Sequence, residues 1–205
     1  MSSGDRIPLH VAARAADFIL GCWGVPNADS VVVGSVRRRR DDVGDIEICL
    51  PHEPRERDQL YKTIHAAVGR SDALFEAPSD VPPVEVIKGL KPGFKAASVR
   101  VRVVYEGEPL TLPVEIYRYE PGARGWSILM RTGPAEFGRW YLGKWKQHWG
   151  IQANQKASID GFLVDGYAQR VPIETEEECF SRCGLAYVEP HLRDAFAANL
   201  RGDIR

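Results

Sequence analysis

Long apolar runs are missing from this chain. No stretch approaches the about 18 consecutive apolar residues that a membrane span needs, and no apolar leader core stands near the N-terminus. A membrane partner is therefore not expected. Cysteine is scarce as well. Cys22, Cys49, Cys179 and Cys183 form no CxxC pair, and no His or Cys beside Cys179 and Cys183 completes a zinc set. They read as reduced thiols of a cytoplasmic, intracellular protein. An excess of one charge is also absent, with 27 Lys+Arg against 28 Asp+Glu and a net charge of −1. The isoelectric point lies near 6.5. Without a global basic field, any nucleic-acid contact must come from local patches. Repeats and low-complexity tracts are lacking, so neither a solenoid nor a biased linker is expected. What remains is 205 residues, 44% hydrophobic and 27% charged. That is enough for one good core or two small domains in contact.

The densest chemistry lies between Val31 and Leu50. Val31 to Val33 are β-branched and read as a short buried strand. Gly34-Ser35 breaks it, and four arginines follow, Arg37 to Arg40. In Gly44-Asp45-Ile46-Glu47-Ile48 the alternation puts Asp45 and Glu47 on one strand face and the isoleucines on the other. Carboxylates at i and i+2 can hold a divalent cation, and Mg²⁺ is typically bound by one or two carboxylates together with substrate phosphates. A Gly-Ser turn flanked by arginines supplies donors for those phosphates. Phosphoryl or nucleotidyl transfer is the chemistry this pairing suggests. The plain alternative is a strand, a basic loop and an edge strand with solvated charges.

Around this stretch the periodicities alternate. Residues 1–8 read as a loose tail. Leu9 to Trp23 carries apolar residues at helical spacing, stopped by Gly24-Val25-Pro26. A second helix is expected over 54–70, then a Pro/Asp-rich connection at 71–83. Strands follow at Val84 to Lys88, Ala97 to Tyr105 and Leu110 to Tyr119, with a turn at Gly107. Glu115 sits among apolar neighbours in the last of these. A carboxylate there is expensive unless it is paired or bound to a cation, and Arg100 or Arg102 across the hairpin could pair with it. Glu136 to Trp149 reads as a helix. Its stripe of Phe137, Trp140, Tyr141, Trp145 and Trp149 is mostly core, while Arg139, Lys144 and Lys146 are candidates for phosphate-backbone contact. Ile159 to Val164 reads as a strand, Asp165-Gly166 as a hairpin turn, and Ala168 to Pro172 as the return strand. Thr175 and Glu178 form a capping box for the helix that follows.

The string Gly34-Ser35-x-Arg37-Arg38, five residues, then Gly44-Asp45-x-Glu47 resembles the nucleotidyltransferase signature of the family X DNA polymerases, the relatives of polymerase beta. Val114-Glu115-Ile116-Tyr117, the Thr132-Gly133 turn and the C-terminal Cys183-Gly-Leu-Ala-Tyr-Val-Glu-Pro-His-Leu-Arg193 resemble later parts of that family in the same order. The resemblance covers residues 28–193. It implies an α+β fold, with a nucleotidyltransferase palm over 1–122 and a small α/β thumb-like domain over 123–205. The few residues before the first strand leave no room for the family's lyase domain, so a minimal palm-and-thumb form is expected, like the smallest viral members.

By motif position, the resemblance makes Asp45, Glu47 and Glu115 the catalytic carboxylates and the ligands of two Mg²⁺ or Mn²⁺ ions. Gly34, Ser35, Arg37 and Arg38 would bind the nucleoside triphosphate, and Thr132 and Gly133 would lie under its sugar and base. The implied partners are a DNA primer-template or 3′-end and a nucleoside triphosphate, handled by a monomer, with DNA repair as the process. Departures from the family pattern are equally specific. Glu replaces Asp at positions 47 and 115. Met130 and Arg131 stand where two aromatics precede Thr-Gly, and Pro134 stands in place of Ser. Gly138 and Leu142 replace the thumb Asn and Arg that check the template. Low fidelity, or little dependence on a template, is expected.

Overall fold

The computed structural model describes residues 6–22, 30–52, 84–92, 96–106 and 108–202. The helix expected over 54–70, the connection at 71–83, the stop at Gly24 to Pro26 and the turn at Gly107 lie outside the described residues. The chain divides into two compact units, Met1–Arg118 and Tyr119–Arg205, where the sequence reading set the boundary between 122 and 123. Each unit mixes helices with strands, an α+β organisation. No helix among the described residues is long and apolar enough to cross a membrane.

In the first unit, β1 (Ile7–Pro8) leads directly into α1 (Leu9–Cys22). Then come β2 (Val31–Val33), the one-turn helix α2 (Gly34–Arg37), β3 (Asp42–Val43), β4 (Ile46–Pro51), β5 (Val84–Pro92), β6 (Ala96–Tyr105) and β7 (Glu108–Tyr119). Five strands form one sheet in the order β2-β4-β7-β6-β5. β2 pairs antiparallel with β4, and β6 pairs antiparallel with both β5 and β7. The β5–β6 register shifts between Val86 and Lys88 and again between Lys88 and Lys91. Extra residues of this kind bend a strand and raise its twist.

The helical spacing read in α1 has a direct structural result. Val11, Ala12, Ala15, Ala16, Ile19 and Leu20 are all buried. They join Ile46, Ile48, Leu50, Leu112, Val114 and Ile116 in one apolar cluster. The alanines keep that face of the helix shallow, so its backbone can approach the sheet. Alternation in β4 and β7 then turns Glu47, Glu115 and Tyr117 away from the cluster.

The tail reading is corrected for residues 6 to 8. Ile7 and Pro8 pair antiparallel with Val43 and Asp42, Ile7 is buried, and Arg6 Nη1 donates to Asp42 Oδ2 at 2.7 Å. One isoleucine and an ion pair across 36 residues dock the segment.

The second unit contains α3 (Arg124–Thr132), α4 (Ala135–Trp149), β8 (Ser158–Ile159), β9 (Phe162–Val164), β10 (Arg170–Val171), α5 (Glu176–Arg182), a 3₁₀ turn (Pro190–Leu192) and α6 (Arg193–Arg201). The aromatic stripe of α4 is core, as expected. Phe137, Tyr141 and Trp145 are fully buried. Tyr141 Oη donates to the Cys179 carbonyl at 2.8 Å and Trp145 Nε1 to the Val164 carbonyl at 2.6 Å, so each polar tip is satisfied inside the core.

The capping box on α5 is present. Thr175 Oγ1 accepts from the Glu178 amide and Glu178 Oε2 accepts from the Thr175 amide. Ile159 to Val164 is not one strand. Asp160 and Gly161 both adopt positive φ, 52° and 90°, and make a two-residue hairpin between β8 and β9. Asp-Gly is the pair favoured by that mirror-image turn.

Sequence reading did not find the buried charge of this unit. Arg193 is fully buried, and its Nη1 donates to Glu176 Oε1 at 2.8 Å. Its Nε donates to the Val188 carbonyl at 3.0 Å, and the guanidinium carbon stands 5.0 Å from the Phe137 ring centroid. Stacking on aromatic faces is favourable for this planar, weakly hydrated cation.

Candidate active site

The antiparallel register of β2 and β4 sets Val33 opposite Glu47. The next residue, Gly34, then lies against the Glu47 side chain. A Cβ at position 34 would fall on the Glu47 carboxylate, and the Gly34 φ is +64°. The positive φ is what favours glycine here, since the Glu47 carboxylate is the end of a flexible side chain. Gly34 opens the single turn of α2, in which the Arg38 amide donates to the Gly34 carbonyl at 3.1 Å and the Arg40 amide to the Ser35 carbonyl at 3.1 Å. Ser35 Oγ is buried on this turn and has no hydrogen-bond partner among the described residues. A buried hydroxyl without a partner is uncommon and calls for a ligand or a cost.

Asp45 stands immediately before β4 and is half-buried. Its carboxyl is held above the usual range, by burial first and by the Glu115 charge second, against opposing pulls from Arg38 and Arg6. Asp45 therefore lies within electrostatic reach of Glu115, carried on the neighbouring strand β7. A like-charge pair beside an arginine-bearing turn suits a divalent cation and phosphate oxygens.

Glu115 lies opposite Ser98, while Arg100 lies opposite Pro113 and Arg102 opposite Thr111. Neither arginine faces it directly across the hairpin. Glu115 instead accepts a hydrogen bond from the Tyr117 hydroxyl at Oε2.

The Glu115 charge reaches Asp45, and the Glu47 carboxylate lies against Gly34. Among the described residues no group of three His, Cys, Asp or Glu side chains comes together to hold a metal ion. The donor set fits a cation held by one or two carboxylates with substrate phosphates, not a closed protein cage. Arg6 joins the candidate site, which the sequence does not announce. Its charge reaches Asp45 while its side chain is tied to Asp42. The available cue was an isolated apolar residue, Ile7, just before a helix.

The remaining candidates belong to the second unit. Thr132 ends α3 and is fully buried, and Gly133 has a φ of 65°. Arg139 pairs with Glu136 at 3.1 Å, and Lys146 Nζ donates to the Ala153 carbonyl at 2.9 Å. Both have structural partners, while Lys144 is exposed. Cysteine chemistry has no support here, because burial raises the thiols of Cys179 and Cys183. Compared with models of known families and with curated proteins, the sequence matches none.

Proposed function

We propose that the chain is a family X-like nucleotidyltransferase that adds nucleotides to a DNA 3′-hydroxyl, with low fidelity, in DNA repair. The observation that carries this reading is the buried, unpartnered Ser35 hydroxyl on the turn of Arg38, whose charge reaches Asp45. Ser35 and Arg38, with Gly34 and Arg37, hold the triphosphate. Arg38 balances the charge of the departing pyrophosphate. Asp45 and Glu115, with Glu47, are the residues that would hold Mg²⁺ or Mn²⁺, which when bound would lower the basicity of the acceptor oxygen and neutralise phosphate charge. The 3′-oxygen forms a bond to the α-phosphorus, the bond to the bridging oxygen breaks, and pyrophosphate leaves. The hydroxyl proton passes to the carboxylate side, where Glu115 is assigned to receive it.

The test is extension of a labelled primer on a one-nucleotide gap, an open template and a bare single strand. Each is run with Mg²⁺ and Mn²⁺, with dNTPs and NTPs, beside Asp45→Asn. Extension that the Asn variant loses is expected. Folded protein that extends no DNA, or a variant as active as the parent, removes the reading.

A second reading has its own observation. Among the described residues three metal-ligating side chains do not come together, as in a palm that binds nucleic acid without turnover. Such a protein would bind DNA with no divalent requirement and no nucleotide affinity.

A further inference from the structure

Glu115 has one more rotatable bond than aspartate would have at the same place, so its carboxylate must be held if it is to serve as a ligand. The structure offers a holder. Leu112, Val114 and Ile116 of β7 are buried in the apolar cluster of the first unit. Glu115 and Tyr117 alternate with them and share the other face. The Tyr117 hydroxyl donates to Glu115 Oε2. We infer that Tyr117 is a positioning residue, which fixes the Glu115 carboxylate so that its second oxygen stays available to a divalent cation shared with Asp45. This rests on the proposed function and gives Tyr117 a role in that site which the resemblance does not assign.

The donor's chemistry is the core of the inference. An arginine opposite Glu115 would fix the carboxylate and cancel its charge. The register places Ser98 there instead, and among the described residues Glu115 has no ion pair. A phenol fixes the geometry while leaving the negative charge in place. Carboxylate ligands are commonly oriented by such neutral donors, and losing one costs metal affinity without removing a ligand. Tyrosine suits the task because its hydroxyl position depends on only two side-chain torsions.

The experiment measures Mn²⁺ binding to the full chain in the presence of a saturating non-hydrolysable nucleoside triphosphate, by the electron paramagnetic resonance of protein-bound Mn²⁺ and by the Mn²⁺-dependent rise in melting temperature. The proteins are wild type, Tyr117→Phe, Glu115→Asp, the double variant and Asp45→Asn. Tyr117→Phe should bind Mn²⁺ about 10- to 100-fold more weakly, with its melting temperature in the absence of Mn²⁺ little changed. In the Glu115→Asp background the same substitution should have a much smaller effect, because the shorter carboxylate no longer reaches the hydroxyl. A Tyr117→Phe protein within about threefold of wild type, or an equal loss in both backgrounds, overturns the inference. These outcomes are separable from failure of the parent reading. Wild type that binds no Mn²⁺, or Asp45→Asn that binds it normally, overturns both. Binding lost in Asp45→Asn but kept in Tyr117→Phe overturns only the role of Tyr117.

Discussion

At Asp45 the proposed function and stability pull in opposite directions. Burial and the Glu115 charge raise its carboxyl pKa in the native state, so the folded protein holds that proton more tightly than the unfolded chain does. The sign follows from linkage. The stabilising contribution is complete below the ordinary carboxylate range and is lost as pH rises through the raised native value. At neutral pH the folded protein therefore carries a charge that the unfolded chain ionises at less expense. Asp45→Asn removes that charge while keeping the side chain's shape. Without added metal the variant should melt above wild type at pH 7, by about 2–4 °C for each kcal/mol recovered, and the two melting temperatures should converge in acid. Calorimetry across pH checks this. A variant less stable than wild type at neutral pH would show that Asp45 is a structural residue and not a site held at a cost. Glu47 poses the complementary case, since its carboxylate sits where the Gly34 side chain would be.

Among the elements, the join between α5 and α6 is the most exacting. Arg193, the first residue of α6, inserts a fully buried guanidinium against Glu176, the first residue of α5. Removing one member of such a pair strands the other charge in an apolar setting. Arg193→Met should destabilise the protein by about 3–5 kcal/mol, and adding Glu176→Met should restore much of the loss. Urea denaturation of both variants measures this, and a single variant near wild-type stability would contradict it.

This join also marks where the sequence stops being legible. Helix α1, the α4 stripe, the Thr175 capping box and the alternation in β7 could all be read because each is set by neighbours within a few residues. The carboxylates and the Gly-Ser turn were found for the same reason, as one short local string. Burial of Arg193 and docking of Arg6 depend on what the fold brings alongside. An exposed and a buried arginine look the same along the chain. The Asp160-Gly161 hairpin was a local signal overlooked because apolar residues flank it and continue the strand pattern.

For the whole molecule, the near-balance of 27 basic and 28 acidic residues limits how nucleic acid can be held. Affinity for DNA grows with the number of phosphates neutralised, and each adds about 0.9 to the slope of log affinity against log salt for duplex. Arg139 and Lys146 already have internal partners, which leaves exposed Lys144 as the most available of the candidate cations. If Arg139, Lys144 and Lys146 form the interface, the slope should be shallow, about −3 or less in magnitude. Lys144→Ala should weaken binding similarly for all sequences and flatten the slope by about 1. Fluorescence anisotropy of a labelled oligonucleotide across roughly 50–200 mM salt measures both. A slope near −10, as for a protein with many phosphate contacts, would place the interface elsewhere on the chain. A slope unchanged in Lys144→Ala would remove this lysine from it. A shallow slope has a consequence for activity as well. If the proposed nucleotidyl transfer is the chain's activity, little electrostatic hold on the duplex would release the acceptor readily after each addition, so short extension products should dominate even when nucleotide is plentiful.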